Sequence, residues 1–141
     1  MSICSNDTSY TLFFDGCSKG NPGKAGSGAV LYKNDIEELW AKTHFAGLKQ
    51  TNNYAEYMGL IIGLEEAVKQ GMKDLTVKGD SLLVIKQMQG KYKVNSPNLL
   101  GLYNKATLLA KQFTKIEYIH VYRKDNKRAD ELSNDALLLI A

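Results

Sequence analysis

The spacing of hydrophobic and polar residues divides the chain into nine segments. Residues 10–15, Tyr-Thr-Leu-Phe-Phe-Asp, are a nearly continuous apolar run closed by an acid, the pattern of a buried first strand. Residues 16–23 hold three glycines and a proline and are expected to form a turn. Residues 29–32 and 38–45 read as the second and third strands, with Asn34-Asp35 as a hairpin signal that lacks the usual glycine. The period then changes. Tyr54, Ala55, Met58, Ile61, Ile62, Leu64, Ala67 and Val68 fall at helical intervals and predict a helix over 52–70, stopped by Gly71 and capped by Asn52 or Asn53. A short strand at 74–78 follows, then a short helix at 81–88 capped by Asp80 or Ser81. A polar loop at 90–97 leads to a long amphipathic helix over 98–113. Residues 115–122 alternate as a fifth strand, and a polar connection at 123–127 enters a terminal helix over 128–140.

This order, βββ-α-β-α-α-β-α, predicts an α/β fold: one mixed five-stranded sheet, three antiparallel strands then two parallel ones, with helices on both faces. A right-handed crossover would place the fourth strand parallel to the first, on its free side. Residues 1–8 are expected to be a flexible tail and 9–141 a single domain, with no internal repeat or linker. The chain starts with Met1 and has no linker, which favours a whole protein over an excised domain.

Composition narrows the class. At 141 residues, 44% apolar and 23% charged, the chain suits one soluble domain with one core. No apolar run approaches the ~20 residues that span a bilayer. The first nine residues are polar, without the apolar core of a secretory signal, so a reducing compartment is expected, the cytoplasm or the nucleoid or nucleus, rather than secretion. Two cysteines, Cys4 and Cys17, make neither a disulfide framework nor a zinc site. The net charge of +3 points only weakly toward nucleic acid.

The candidate chemistry lies in four carboxylates, Asp15, Glu56, Asp80 and Asp130, each placed by the pattern at a strand end or in the early turns of a helix. In an open α/β sheet, Asp15 and Asp80 would leave the same edge of adjacent parallel strands, the usual place for a ligand site. Four converging acids form a pocket that is costly unless cations fill it, and a pair of divalent ions is the natural filler. That combination suits metal-dependent phosphodiester chemistry.

The stretches around these acids resemble the type 1 ribonuclease H family over roughly residues 9–138. They are Phe14-Asp15-Gly16, Lys19-Gly20-Asn21-Pro22-Gly23, Thr51-Asn52-Asn53-Tyr54-Ala55-Glu56, Gly79-Asp80-Ser81 and Asn126-Lys127-Arg128-Ala129-Asp130-Glu131-Leu132. Each alone is weak; together, in order, they are specific. The resemblance implies an endoribonuclease that hydrolyses the RNA strand of RNA–DNA hybrids and leaves 3′-hydroxyl and 5′-phosphate ends. It implies two Mg²⁺ ions, with Mn²⁺ as a substitute, held by Asp15, Glu56, Asp80 and Asp130. One metal would activate a water and the other would stabilise the leaving 3′ oxygen, with the ions ~3.5–4 Å apart. By the same resemblance, Asn21, Asn52 and Gln50 touch the minor groove, where an A-like duplex shows its 2′-hydroxyls. Gly16, Cys17 and Ser18 lie along the RNA strand. Thr51, Asn95 and Lys49 hold one DNA phosphate. No membrane or small-molecule cofactor is implied, and a monomer is expected.

The chain departs from the family pattern in three places. Many members carry a loop histidine before the last acid; here Arg123 takes that role, as in a short-loop branch, and His120 is read as part of the strand. Arginine would contact the scissile phosphate or aid product release without titrating near neutral pH. The family's basic protrusion is missing, with Lys91, Tyr92 and Lys93 in its place. Leu82 stands where some members have a polar groove-reading residue and is read as core. Trp40 is read as packing and Cys17 as chemically unreactive. Two other readings compete: a hybrid-binding module without catalysis, and a junction resolvase or transposase core. The four retained acids speak against the first, and the stretches at 51–56 and 126–130 against the second.

Overall fold

The computed structural model describes residues 8–139, so the tail expected at 1–8 lies outside the described residues except for Thr8, as do Ile140 and Ala141. The strands β1 (Tyr10–Lys19), β2 (Gly23–Lys33), β3 (Glu37–Gln50), β4 (Asp74–Gly79) and β5 (Lys115–His120) form one sheet in the order β3-β2-β1-β4-β5. The first three strands are antiparallel, and β4 is parallel to both β1 and β5, as expected from the crossover rule. The helices are α1 (Asn52–Lys69), α2 (Leu82–Met88), α3 (Pro97–Ala110) and α4 (Lys127–Asp135).

Alternation along β1 divides the core. Leu12 and Phe14 pack with Leu31, Tyr57, Leu60, Leu64, Val77 and Ile85 on the α1 face. Phe13, pointing the other way, joins Val30, Tyr32, Ala129 and Leu132 beneath α4. Trp40 packs at the edge of the larger cluster, as the sequence suggested. Inside that cluster the Tyr57 hydroxyl donates to Gln87 Oε1 at 2.6 Å, which satisfies both polar groups.

The structure corrects several element boundaries. The stretch 16–23 is not one turn: β1 runs on to Lys19, β2 starts at Gly23, and residues 20–22 alone reverse the chain. Gly16, read as part of that turn, and Gly28 on β2 serve close packing instead. A side chain on Gly16 would collide with the α1 backbone at Ala55 and Glu56, and one on Gly28 with the α4 backbone at Ala129 and Ser133. The Asn34-Asp35 hairpin does form, with both residues at positive φ (55° and 59°). The α1 cap is Thr51, not Asn52 or Asn53. Thr51 Oγ1 accepts from Tyr54 N at 3.1 Å, while the Asn52 N–H is taken by Asn21 Oδ1 at 2.8 Å. Ser81 caps α2 as expected, through Val84 N at 3.2 Å. Leu82 is 45% exposed at the start of α2 and so is not core. The terminal helix is shorter than expected, because α4 ends at Asp135 and the chain tightens into a 3₁₀ turn over Ala136–Leu138. The fifth strand ends at His120, two residues early, and α3 at Ala110, three early.

Candidate active site

Strand register brings the first two acids together. Phe14 pairs with Gly79 across the parallel β1–β4 ladder, so the next residue on each strand, Asp15 and Asp80, emerges at the same sheet edge. Glu56 lies in the second turn of α1, beside the point where that helix meets Gly16. Ligand oxygens of Asp15, Glu56 and Asp80 all lie within 4.8 Å of one another. Asp130 comes from the first turn of α4 and lines the same open cavity of about 490 Å³.

Two residues position these acids and were not assigned a role from sequence. Asn126 is 1% exposed; its Nδ2 donates to the Phe14 carbonyl at 3.0 Å and its own carbonyl accepts from Asp130 N at 3.0 Å. It therefore ties the start of α4 to the residue preceding Asp15. Ser27, fully buried on β2, donates from Oγ to the Ala55 carbonyl at 2.7 Å and pins α1 beside Glu56. Asn126 was visible within a matching stretch. Nothing in local spacing marks Ser27, because its partner lies 28 residues away.

The electrostatics are strained without a cation. Burial first, and the Asp80 charge second, push the Asp15 carboxyl up to about 8, although the Gly16 N–H donates to it at 2.8 Å. Burial, then the charges of Asp15 and Asp80, also hold the Glu56 carboxyl well above the usual range. Glu56 Oε1 is buried without a hydrogen-bond partner among the described residues. An orphaned carboxylate oxygen beside two further acids fits a hard divalent cation and little else.

Arg123, on the 3₁₀ turn Arg123–Asp125, reaches over the site. Its Nη2 lies 3.8 Å from Asp130 Oδ1, and its side chain is 81% exposed, so the pair is loose and screened. His120 ends β5, as read from its alternation, but it also lines the cavity and its ring meets Tyr122 edge-on at 5.5 Å. Burial pushes the Cys17 thiol up, which leaves little reactive thiolate and agrees with its reading as inert.

The other expected residues, Asn95 excepted, fall into two groups. Gly16, Cys17, Ser18 and Asn52 line the cavity with the acids. Asn21, Lys49, Gln50 and Thr51 form an adjoining ledge: Asn21 is bonded to Asn52, Ser18 Oγ donates to the Gln50 carbonyl at 2.7 Å, and Lys49 is exposed at the end of β3. Asn95 is exposed in the loop between α2 and α3.

Comparison with known proteins identifies relatives of the whole fold. The family profile described as "Reverse transcriptase-like" matches residues 13–136. The chain is 50% identical over 123 residues to the "Bifunctional protein Rv2228c" of Mycobacterium tuberculosis, covering 87% of this chain and 34% of that protein. The solved N-terminal ribonuclease H domain of that protein, fused to maltose-binding protein, superimposes with a TM-score of 0.90 at 46% identity, covering 94% of this chain and 96% of that one. A "Ribonuclease H" of Pseudomonas syringae pv. syringae is 32% identical over 143 residues, covering 89% of this chain and 90% of that protein. LC11-RNase H1, solved in complex with an RNA/DNA hybrid, matches with a TM-score of 0.86 at 33% identity, covering 92% and 97% of the two chains.

A mixed sheet with acids gathered where the parallel pairing of its first and fourth strands ends defines a ribonuclease H-like fold. The chain belongs to the ribonuclease H family. It spans about a third of the length of the first curated relatives it matches, 34% in each case. The family and the carboxylate cluster together point to dependence on a divalent metal. Among the described residues no helix is long and apolar enough to cross a membrane.

Proposed function

We propose that this protein is an endonuclease that hydrolyses the RNA strand of RNA–DNA hybrids, leaving 3′-hydroxyl and 5′-phosphate ends. The observation that carries this reading is the cluster of Asp15, Glu56 and Asp80 oxygens within 4.8 Å, with Asp130 on the same cavity. Asp15, Glu56, Asp80 and Asp130 would hold two Mg²⁺ ions, or Mn²⁺ in their place. When bound, such ions supply a water activated for in-line attack and a positive field for the leaving 3′ oxygen.

The chain's own residues do the rest. Asn126 holds the start of α4, and with it Asp130, to the β1 edge. Arg123 is free enough to swing from Asp130 to the scissile phosphate, a fixed positive charge that needs no proton exchange. Gly16, Cys17 and Ser18 present backbone along the RNA strand, and Asn21, Gln50 and Asn52 reach the minor groove, where 2′-hydroxyls distinguish RNA from DNA. Thr51, Lys49 and Asn95 hold a DNA phosphate away from the cut. The protein acts as a monomer in a reducing compartment.

The decisive assay compares labelled RNA–DNA, RNA–RNA and DNA–DNA duplexes with Mg²⁺ and then with EDTA. Cleavage confined to the RNA strand of the hybrid, abolished by EDTA and by Asp15→Asn, is expected. Hybrid binding without cleavage in Mg²⁺ or Mn²⁺ would identify a binding module instead.

A further inference from the structure

A second cavity, of about 440 Å³, lies beside the first and is unused by the chemistry above. One stretch of chain lines both: Tyr122, Arg123 and Asp130 border the acids, while residues 124–129 border the second cavity. We propose that this second cavity binds a nucleotide, with the base against Phe13 and Tyr32 and the phosphate between Lys78, Lys124 and Lys127.

The floor is aromatic. Phe13 and Tyr32 pack against Ala129 and Leu132 of α4 on one side and line the cavity on the other. There Phe13 and Tyr32 meet edge-to-face at 5.6 Å and 89°, and together offer a partly exposed apolar surface of the kind a base packs on. The rim is basic. Lys78 is the register partner of Phe13, and its Nζ sits 5.6 Å from the centre of that ring. Lys124 and Lys127 are exposed and make no ion pair among the described residues. Arg128 is already engaged, at 3.0 Å from Glu38 and 2.9 Å from Glu131, so the three lysines are the cations left for an anion.

The remaining polar groups suit the donors of a nucleotide. Asn126 lines the cavity and its buried Oδ1 has no hydrogen-bond partner among the described residues. Asp35 accepts from Thr11 Oγ1 at 3.0 Å through Oδ1, and Asp125 is exposed at the rim. Acceptors along the lining match an exocyclic amine or ribose hydroxyls, and clustered lysines match phosphate. The volume falls within the range of small-ligand sites. A bare inorganic anion would leave the aromatic floor unused, and an apolar ligand would leave the lysines unpaired.

The test is calorimetric titration of the whole protein in EDTA, so that metal at the four acids plays no part. The probes are ADP, adenosine, pyrophosphate and a 5′-phosphorylated single-stranded oligonucleotide. ADP is expected to bind, with adenosine and pyrophosphate each roughly tenfold weaker or more. Lys78→Ala/Lys127→Ala should weaken ADP by a similar factor, and Asp80→Asn should not change it. An oligonucleotide that displaces ADP and binds more tightly would identify a strand as the source of the nucleotide; an oligonucleotide that fails to displace it would identify a free mononucleotide. Three results would overturn the proposal: no binding of ADP or oligonucleotide, equal affinity for ADP and pyrophosphate, or ADP affinity unchanged in the double-lysine variant. Circular dichroism of both variants separates loss of binding from loss of fold.

Discussion

Raising the pH of the metal-free protein should destabilise it, because Asp15 and Glu56 are buried acids held above their ordinary range. Asp15 is 4% exposed, and its carboxyl is pushed from 3.8 to about 8, first by burial and then by the Asp80 charge. In the unfolded chain the same group ionises near its ordinary value. Between about pH 4 and pH 8 the folded state therefore keeps a proton that the unfolded state has released. The stabilisation is fully present below the unfolded value and is lost as pH rises through the folded one, at about 1.4 kcal/mol per pH unit. From pH 5 to pH 7 the loss is about 3 kcal/mol, or roughly 6–12 °C in Tm for a domain of this size. Glu56, also shifted upward, acts in the same direction. The assay is thermal unfolding in EDTA at pH 5, 6 and 7, for the wild type and Asp15→Asn. The variant removes one buried acid and part of the repulsion felt by Glu56, so its profile should flatten and its Tm at pH 7 should exceed that of the wild type. Millimolar Mg²⁺ should reverse the wild-type trend, because a cation favours the ionised carboxylates. Equal pH slopes for the wild type and Asp15→Asn in EDTA would refute this reasoning and the close packing of acids on which it rests.

Asp80→Asn should abolish hybrid cleavage while leaving the circular dichroism spectrum unchanged, since it removes a charge and keeps the shape. Arg123→Ala should lower turnover yet preserve the rise in Tm caused by Mg²⁺, and the wild-type kcat should show no inflection at neutral pH; an inflection near pH 6–7 that vanishes in His120→Ala would assign the role to the histidine. Thr51→Ala should cost about 1 kcal/mol of stability through the lost α1 cap, read by chemical denaturation. Combined with Asn95→Ala it should raise KM more than it lowers kcat, and an unchanged KM with a collapsed kcat would contradict the phosphate-holding role. Lys91→Ala/Lys93→Ala should raise KM modestly and reduce the salt dependence of hybrid binding, as expected when phosphate contacts are removed.

The elements with long, regular periods were legible in the sequence. The apolar run of β1 reflects a strand packed on both faces, and the helical spacing of α1 and the alternation of β5 reflect one face repeatedly meeting a core, local signals that survive in the linear chain. The four acids were legible because each stands in a motif-like stretch near a change of period, although the structure places Asp15 inside β1 and Glu56 in the second turn of α1, and Asp15 and Asp80 share an edge only because the β1–β4 pairing ends just before them. What the tertiary structure alone decided are contacts between distant segments. Gly16 looks like a turn residue until α1 is seen resting on it, and the need for glycine at 28 shows only where α4 packs against it. Asn52 looks like a cap until Asn21, 31 residues earlier, is seen to take its N–H, leaving Thr51 to cap. Asn126 reads as a polar helix entry, yet it is buried because its amide reaches Phe14, 112 residues away, and so holds the fourth acid near the first. The cavity beside Phe13 and Tyr32 forms where β1, β2 and β4 meet residues 124–129, segments far apart in the chain. Periodicity records which side of an element is buried, whereas the partner that buries it is set only when the chain packs.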